Sequence, residues 1–213
     1  MNSKLSSLQR DLLDHFFRLE KAFFLTGGGA LAGFHLGHRQ THDLDLFVTS
    51  DRLQEGEAAL RESARQLGAT LESIRTSPEF RRWLVRRGEE SVIVDLVLDR
   101  TPQGQPQKQK FGEILVDPVS EILANKLCTL LSRAEVRDLV DVLALDRAGH
   151  KVESAVDLAA RKDGGLTPGQ LAWVLSEIEL SDDADIPGGV SPAELRAFLS
   201  DLQNRLTRLA YPI

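Results

Sequence analysis

Two aspartates one residue apart, Asp43 and Asp45, open the apolar run Asp43-Leu44-Asp45-Leu46-Phe47-Val48, and a glycine cluster, Gly27, Gly28 and Gly29, precedes them. At strand periodicity both carboxylates fall on one face while Leu44, Leu46 and Val48 take the other. Carboxylates side by side need a cation. Glycines that open a helix leave backbone N–H groups unobstructed and present the positive end of a dipole, which suits a phosphate. A cation and a phosphate together point to nucleotide chemistry.

A third acid stands in Val92-Ile93-Val94-Asp95-Leu96-Val97-Leu98 as the only charge of an apolar strand. Burying an unpaired carboxylate costs several kcal/mol, so Asp95 must meet a cation. That cation is either the metal implied by Asp43 and Asp45 or an arginine in a structural ion pair. Lys126 lies on the apolar stripe Val119, Ile122, Leu123, Leu127 and Leu130 and so points inward. There it should neutralise an anion, a nucleotide triphosphate or one of the acids above; the competing reading is a lysine snorkelling at a domain edge. Arg137 and Asp141, four residues apart on one helix, read alone as a solvated pair of about 0.3–0.5 kcal/mol.

Other patterns are weaker. Gly27, Gly29 and Ala32 match a loose dinucleotide-binding fingerprint, but Asp43 and Asp45 begin a strand where that fold's acid ends one. His35, His38 and His42 have helical spacing yet lack a closed zinc ligand set. Arg75, Arg81, Arg82, Arg86, Arg87 and Arg100 gather around a hairpin, ordinarily a solvated edge that resists strand pairing, and also the best candidate for a phosphate or RNA surface.

The elements that must position these groups follow from the hydrophobic pattern. Residues 4–20 read as an amphipathic helix, 22–25 as a strand feeding the glycine loop, 28–37 as the helix it opens, 43–48 as a strand and 51–67 as a charged surface helix. Two strands, 80–87 and 92–98, flank a four-residue hairpin loop, Gly88-Glu89-Glu90-Ser91. A Pro-, Gln- and Gly-rich loop at 101–110 precedes a last strand at 111–116. From Asp117-Pro118 the chain turns helical, with later starts at Thr167-Pro168 and Ser191-Pro192 separated by a linker at 181–189. The expected class is α+β, with a small mixed sheet flanked by helices in residues 1–117 and an all-helical domain in 118–213.

Composition narrows the function classes. In 213 residues, 42% hydrophobic content supports a buried core, and a net charge of -6 leaves any nucleic-acid contact to a local basic patch. The one cysteine, Cys128, has no disulfide partner in the chain, which fits a reducing cytosol. No signal peptide and no run of about 20 apolar residues is evident, so a cytoplasmic protein without a membrane partner is expected.

Taken in order, these motifs resemble the AbiEii/AbiGii-type nucleotidyltransferases, toxins of type IV toxin–antitoxin systems related to the MenT toxins within the DNA polymerase β-like superfamily. Thr26-Gly27-Gly28-Gly29-Ala30-Leu31 resembles the family's glycine loop, and Arg39-x-Thr41-x-Asp43-x-Asp45 its Arg-x-Ser/Thr-x-Asp-x-Asp motif; members often carry Thr or Ser where Gly29 stands. Asp95 sits where the superfamily has its third carboxylate, and Lys126 with Arg137-Asp138-Leu139 and Asp141 resembles the Lys and Arg-Asp-x-x-Asp motifs.

The resemblance covers residues 20–146 and implies a polymerase β-like fold and transfer of a nucleotide from an NTP to an acceptor hydroxyl. Two Mg²⁺ ions would be held by Asp43, Asp45 and Asp95. Gly27, Gly28, Gly29, Arg39, Thr41, Lys126 and Arg137 would contact the nucleotide, and Asp141 would support the reaction with Lys126. RNA, especially the tRNA 3′ end, is an implied acceptor, and a cognate antitoxin an implied partner. A small-molecule nucleotidyltransferase of the antibiotic-modifying kind and a non-catalytic nucleotide-binding module are the alternatives.

Overall fold

A computed structural model describes residues 3–211, and the chain separates into two compact units, Met1–Thr101 with Pro106–Pro118 and Pro102–Gln105 with Val119–Ile213. The short stretch Pro102–Gln105 joins the helical unit although it precedes Pro106–Pro118 in the chain. Buried Glu121 explains that assignment: it accepts the backbone N–H groups of Gly104 (3.1 Å) and Gln105 (3.0 Å) while paired with Lys162.

The first unit holds one seven-stranded mixed sheet in the order β3-β4-β5-β2-β1-β7-β6. Its elements are α1 (Ser7–Leu19), β1 (Phe24–Thr26), α2 (Gly27–Ala30), β2 (Asp43–Val48), α3 (Leu53–Gln66), β3 (Thr70–Ser77), β4 (Phe80–Arg87), β5 (Glu90–Leu98), β6 (Gln109–Phe111) and β7 (Ile114–Val116). Strand β2 runs parallel to β5 and antiparallel to β1, and β1 is parallel to β7. Period-two alternation gives the sheet two unlike faces. Leu44, Leu46, Val48, Val92, Val94, Leu96 and Leu98 are buried on one, where α1 and α3 pack. Leu8, Leu12, Leu13, Phe16 and Phe17 of α1 are each at most 1% exposed, worth about 1.5–3 kcal/mol apiece for the Leu and Phe side chains. Asp43, Asp45, Phe47, Ile93, Asp95 and Val97 take the opposite face.

Three local readings are corrected, and one strand is added. The helix after the glycine loop is one α-turn, Gly27–Ala30, followed by a π-turn, Leu31–His35. The hairpin loop between β4 and β5 has two residues, because Arg87 pairs with Glu90 and Gly88 adopts φ 58°. Strand β3 shows no alternation to read, since as an edge strand it is exposed along most of its length. The last strand is a hairpin, β6 and β7, turned at Gly112 with φ 62°.

The second unit contains α4 (Val119–Ser132), α5 (Val136–Arg147), α6 (Val156–Lys162), α7 (Pro168–Ser176) and α8 (Pro192–Ala210). Helix α4 begins directly after Pro118, whereas the Asp117 carboxylate pairs with Lys108 at 2.6 Å within the first unit. Thr167 caps α7 by accepting Gln170 N–H, and Ser191 with Glu194 forms a capping box on α8. Among the described residues no helix is long and apolar enough to cross a membrane.

Candidate active site

Strand register assembles a polar row across the sheet. Arg75 of β3 opposes Arg82 of β4, Arg82 opposes Asp95 of β5, Asp95 opposes Asp45 of β2, and Asp45 opposes Thr26 of β1. Directly paired residues project to the same face, and adjacent strands lie about 4.7–4.9 Å apart, so these side chains form one continuous polar line. Asp43, two positions before Asp45, opposes Ile93 on that face.

The glycine loop is shaped around two charged side chains. A Cβ on Gly27 would lie 2.4 Å from Asp45 Oδ2, and Gly27 holds φ 63°, so glycine is required there twice over. A Cβ on Gly28 would lie 2.9 Å from an Arg39 guanidinium nitrogen and 3.5 Å from Thr41 Oγ1. Gly29 is buried against Leu25, Leu44 and the Asp43 carbonyl. The spacing of the glycines to Arg39, Thr41, Asp43 and Asp45 therefore has a packing cause: the turn has no side chains because carboxylate and guanidinium occupy that space. Thr26 Oγ1, next to Asp45 in the row, is buried without a hydrogen-bond partner.

The segment carrying Arg39 and Thr41 is tied down from α1. Gln9 closes the capping box with Ser6 and donates its Nε2 to the Thr41 carbonyl at 3.0 Å. Thr41 Oγ1 accepts the Asp43 N–H at 3.4 Å, and Arg39, 7% exposed, donates to the Gln40 carbonyl at 2.9 Å. His35 donates to the Asp117 carbonyl at 2.8 Å, a packing role.

Asp95 meets an arginine. Arg82 Nε and a terminal nitrogen grip its two oxygens at 2.8 and 2.7 Å, a bidentate fork. The hydrogen bond to Asp95 holds the Arg82 guanidinium above its usual range against the opposing effect of burial, and the charges of Asp95, Asp43 and Asp45 add to it. The three acids thus share a face, but they do not form a shared cluster: among the described residues no group of three or more His, Cys, Asp or Glu is placed to hold a metal. What Asp43 and Asp45 offer, paired hard oxygens beside an unpartnered hydroxyl, is chemistry suited to a divalent cation such as Mg²⁺.

In the helical unit, Lys126 points inward and meets two acids of that same unit. Its ammonium contacts Asp138 at 2.7 Å and Asp141 at 2.6 Å, both carboxylates being wholly buried, and Arg133 donates to Asp138 at 3.1 Å. Burial alone would lower the Lys126 ammonium's pKa, yet the charges of Asp141 and Asp138 hold it above the usual lysine value. Arg137 reaches Glu135 at 2.6 Å. Asp138, which the sequence reading places in the Arg-Asp-x-x-Asp pattern without a role of its own, is thus a direct partner of Lys126.

Comparisons with known proteins agree with this architecture. Two Helicobacter pylori crystal structures share the fold. One, named as a candidate nucleotidyltransferase, has TM-score 0.54 and 18% identity over 95% of this chain and 94% of that one. The other, JHP933, has TM-score 0.53 and 20% identity over 96% of this chain and 92% of that one. No curated protein sequence matches significantly. The profile described as "Nucleotidyl transferase AbiEii toxin, Type IV TA system" matches residues 11–211, and the chain belongs to that family.

Proposed function

We propose that the protein transfers a nucleotide from an NTP to an acceptor hydroxyl with release of pyrophosphate, as the toxin of a toxin–antitoxin pair. The observation that carries this reading is the polar row, in which Asp45, wedged against Gly27, stands between Thr26 and Asp95 on the face that also presents Asp43. Asp43 and Asp45 would hold a divalent cation. A bound Mg²⁺ supplies neutralisation of the charge that develops on the phosphoryl oxygens.

The chain's own groups do the remaining work. Gly27, Gly28 and Gly29 would bring backbone N–H groups close to the triphosphate, with Arg39 and Thr41, whose side chains lie beside Gly28, to orient it. Asp95 would complete the cation site that activates the attacking hydroxyl and would take up its proton. By the family pattern Lys126 and Asp141 contribute charge to the reaction and Arg137 a phosphate contact.

RNA, the tRNA 3′ end in particular, is the proposed acceptor, and an antitoxin encoded alongside the proposed partner. Incubation with each α-labelled NTP, Mg²⁺ and total RNA tests this directly. Label in the RNA fraction is the expected result. Label confined to small molecules would identify an antibiotic-type transferase, and no transfer to either, with NTP still bound, a nucleotide-binding module.

A further inference from the structure

The Arg82–Asp95 fork bears on how the acidic set is completed. Asp95 is 5% exposed, so its carboxylate requires a cation at all times. Both oxygens are engaged by Arg82, so a metal approaching Asp95 must compete with the guanidinium for the same carboxylate.

Arg82 is built to leave. Its side chain is 44% exposed while that of Asp95 is 7% exposed, so the guanidinium reaches the buried acid from the solvent side. Its register partner is another cation, Arg75, and like charges directly opposed on a sheet repel. The Phe80 ring, 5.5 Å from the Arg82 guanidinium and 5.9 Å from that of Arg75, offers a cation–π surface beside the fork.

We propose that Arg82 is a positioning residue that holds Asp95 in the metal-free site and exchanges with a divalent cation, so that Asp43, Asp45 and Asp95 act as one set only after the guanidinium has moved off. This rests on the reading that Asp43 and Asp45 hold a metal. Arg82 and the cation at Asp95 are then mutually exclusive, and metal affinity at this acid is set by the strength of the fork.

The test is Mn²⁺ titration of the full chain without nucleotide, with free Mn²⁺ followed by EPR. R82Q should bind Mn²⁺ about tenfold more tightly than the wild type or take up an additional equivalent, a coupling within the usual allosteric range. R82K, which keeps the charge and loses the fork, should fall between them. Because R82Q leaves a buried carboxylate without a partner, its melting temperature should drop in EDTA and rise more with Mn²⁺ than that of the wild type. If R82Q is unfolded without metal, R82K carries the titration. Wild-type affinity and stoichiometry in R82Q, or in R82K where it must substitute, would overturn the proposal. D45N separates the two levels: unchanged Mn²⁺ binding in D45N sinks the metal reading itself, whereas loss in D45N with no change in the Arg82 variants sinks only the exchange.

Discussion

The Asp45 carboxylate fills the space that a side chain on Gly27 would need, with Oδ2 only 2.4 Å from where that Cβ would stand. A glycine on one strand end and an acid on the neighbouring strand are therefore a single packing unit. Gly27→Ala must place a Cβ at φ 63° and also push Asp45 aside. The conformational part alone costs about 1–3 kcal/mol. Urea denaturation should show a loss of at least that size, and nucleotidyl transfer should fall further than the lost folded fraction explains, because Asp45 has moved.

Substitutions that keep this packing should separate charge from shape. Asp45→Asn and Asp43→Asn preserve side-chain volume and remove a charge, so far-UV circular dichroism should be unchanged. Transfer should drop by roughly 10²–10³ or more, the scale of losing one electrostatic contact to a transition state. Near-normal transfer by either variant at saturating Mg²⁺ would remove that residue from the mechanism.

Gln9 tests the support from α1. Its side chain both completes the helix cap and holds the Thr41 carbonyl at 3.0 Å. Gln9→Ala should cost about 1–2 kcal/mol from a lost cap partner and a buried hydrogen bond. Gln9→Glu keeps the acceptor for the cap but cannot donate to Thr41. Because Gln9 is 2% exposed, the new carboxylate would face the Thr41 carbonyl oxygen unpaired, so Gln9→Glu should cost at least as much stability as Gln9→Ala and should raise KM for NTP if the Arg39–Thr41 segment orients the nucleotide.

The periodic part of this architecture was legible in the chain, and its long-range pairings were not. Alternation in 43–48 and 92–98 gives the faces of Asp43, Asp45 and Asp95 directly. The partner of Asp95 depends on hairpin register. With a four-residue loop, Arg87 would pair with Val92 and Leu84 would oppose Asp95; with the two-residue loop actually formed, Arg87 pairs with Glu90 and Arg82 opposes Asp95. The positive φ of Gly88 and the charge of Glu90, which bonds Ser7 and Leu8 of α1, decide between them, and the second of these is a tertiary contact. Likewise, the glycines read only as bare backbone for a phosphate until Asp45 and Arg39 are seen to take the space that side chains on Gly27 and Gly28 would need. Strand β3 leaves no hydrophobic trace because it buries so little.

Lys126 is the residue where stability and catalysis must be disentangled. Its ammonium sits between Asp138 and Asp141, both wholly buried, so Lys126→Ala removes the cation that the two carboxylates share in the interior of the helical unit. Breaking a buried pair from one side costs about 3–5 kcal/mol, and equilibrium unfolding should register it. The triple variant K126M/D138N/D141N, with the charges removed together, should recover part of that loss.

The sign of the pH dependence follows from the same contacts. Because the Lys126 pKa is raised in the folded protein, its contribution is fully present below the unfolded lysine value and is lost as pH rises through the folded one. Wild-type stability should thus decline on the alkaline side of about pH 10.5, the ordinary lysine value, and the K126M triple variant should lack that decline. Transfer measured at neutral pH on folded K126A, stabilised by an osmolyte, then reports catalysis alone. Unchanged kcat and KM there would confine Lys126 to holding α4 and α5 together, whereas a strong fall with intact folding would place its charge in the reaction.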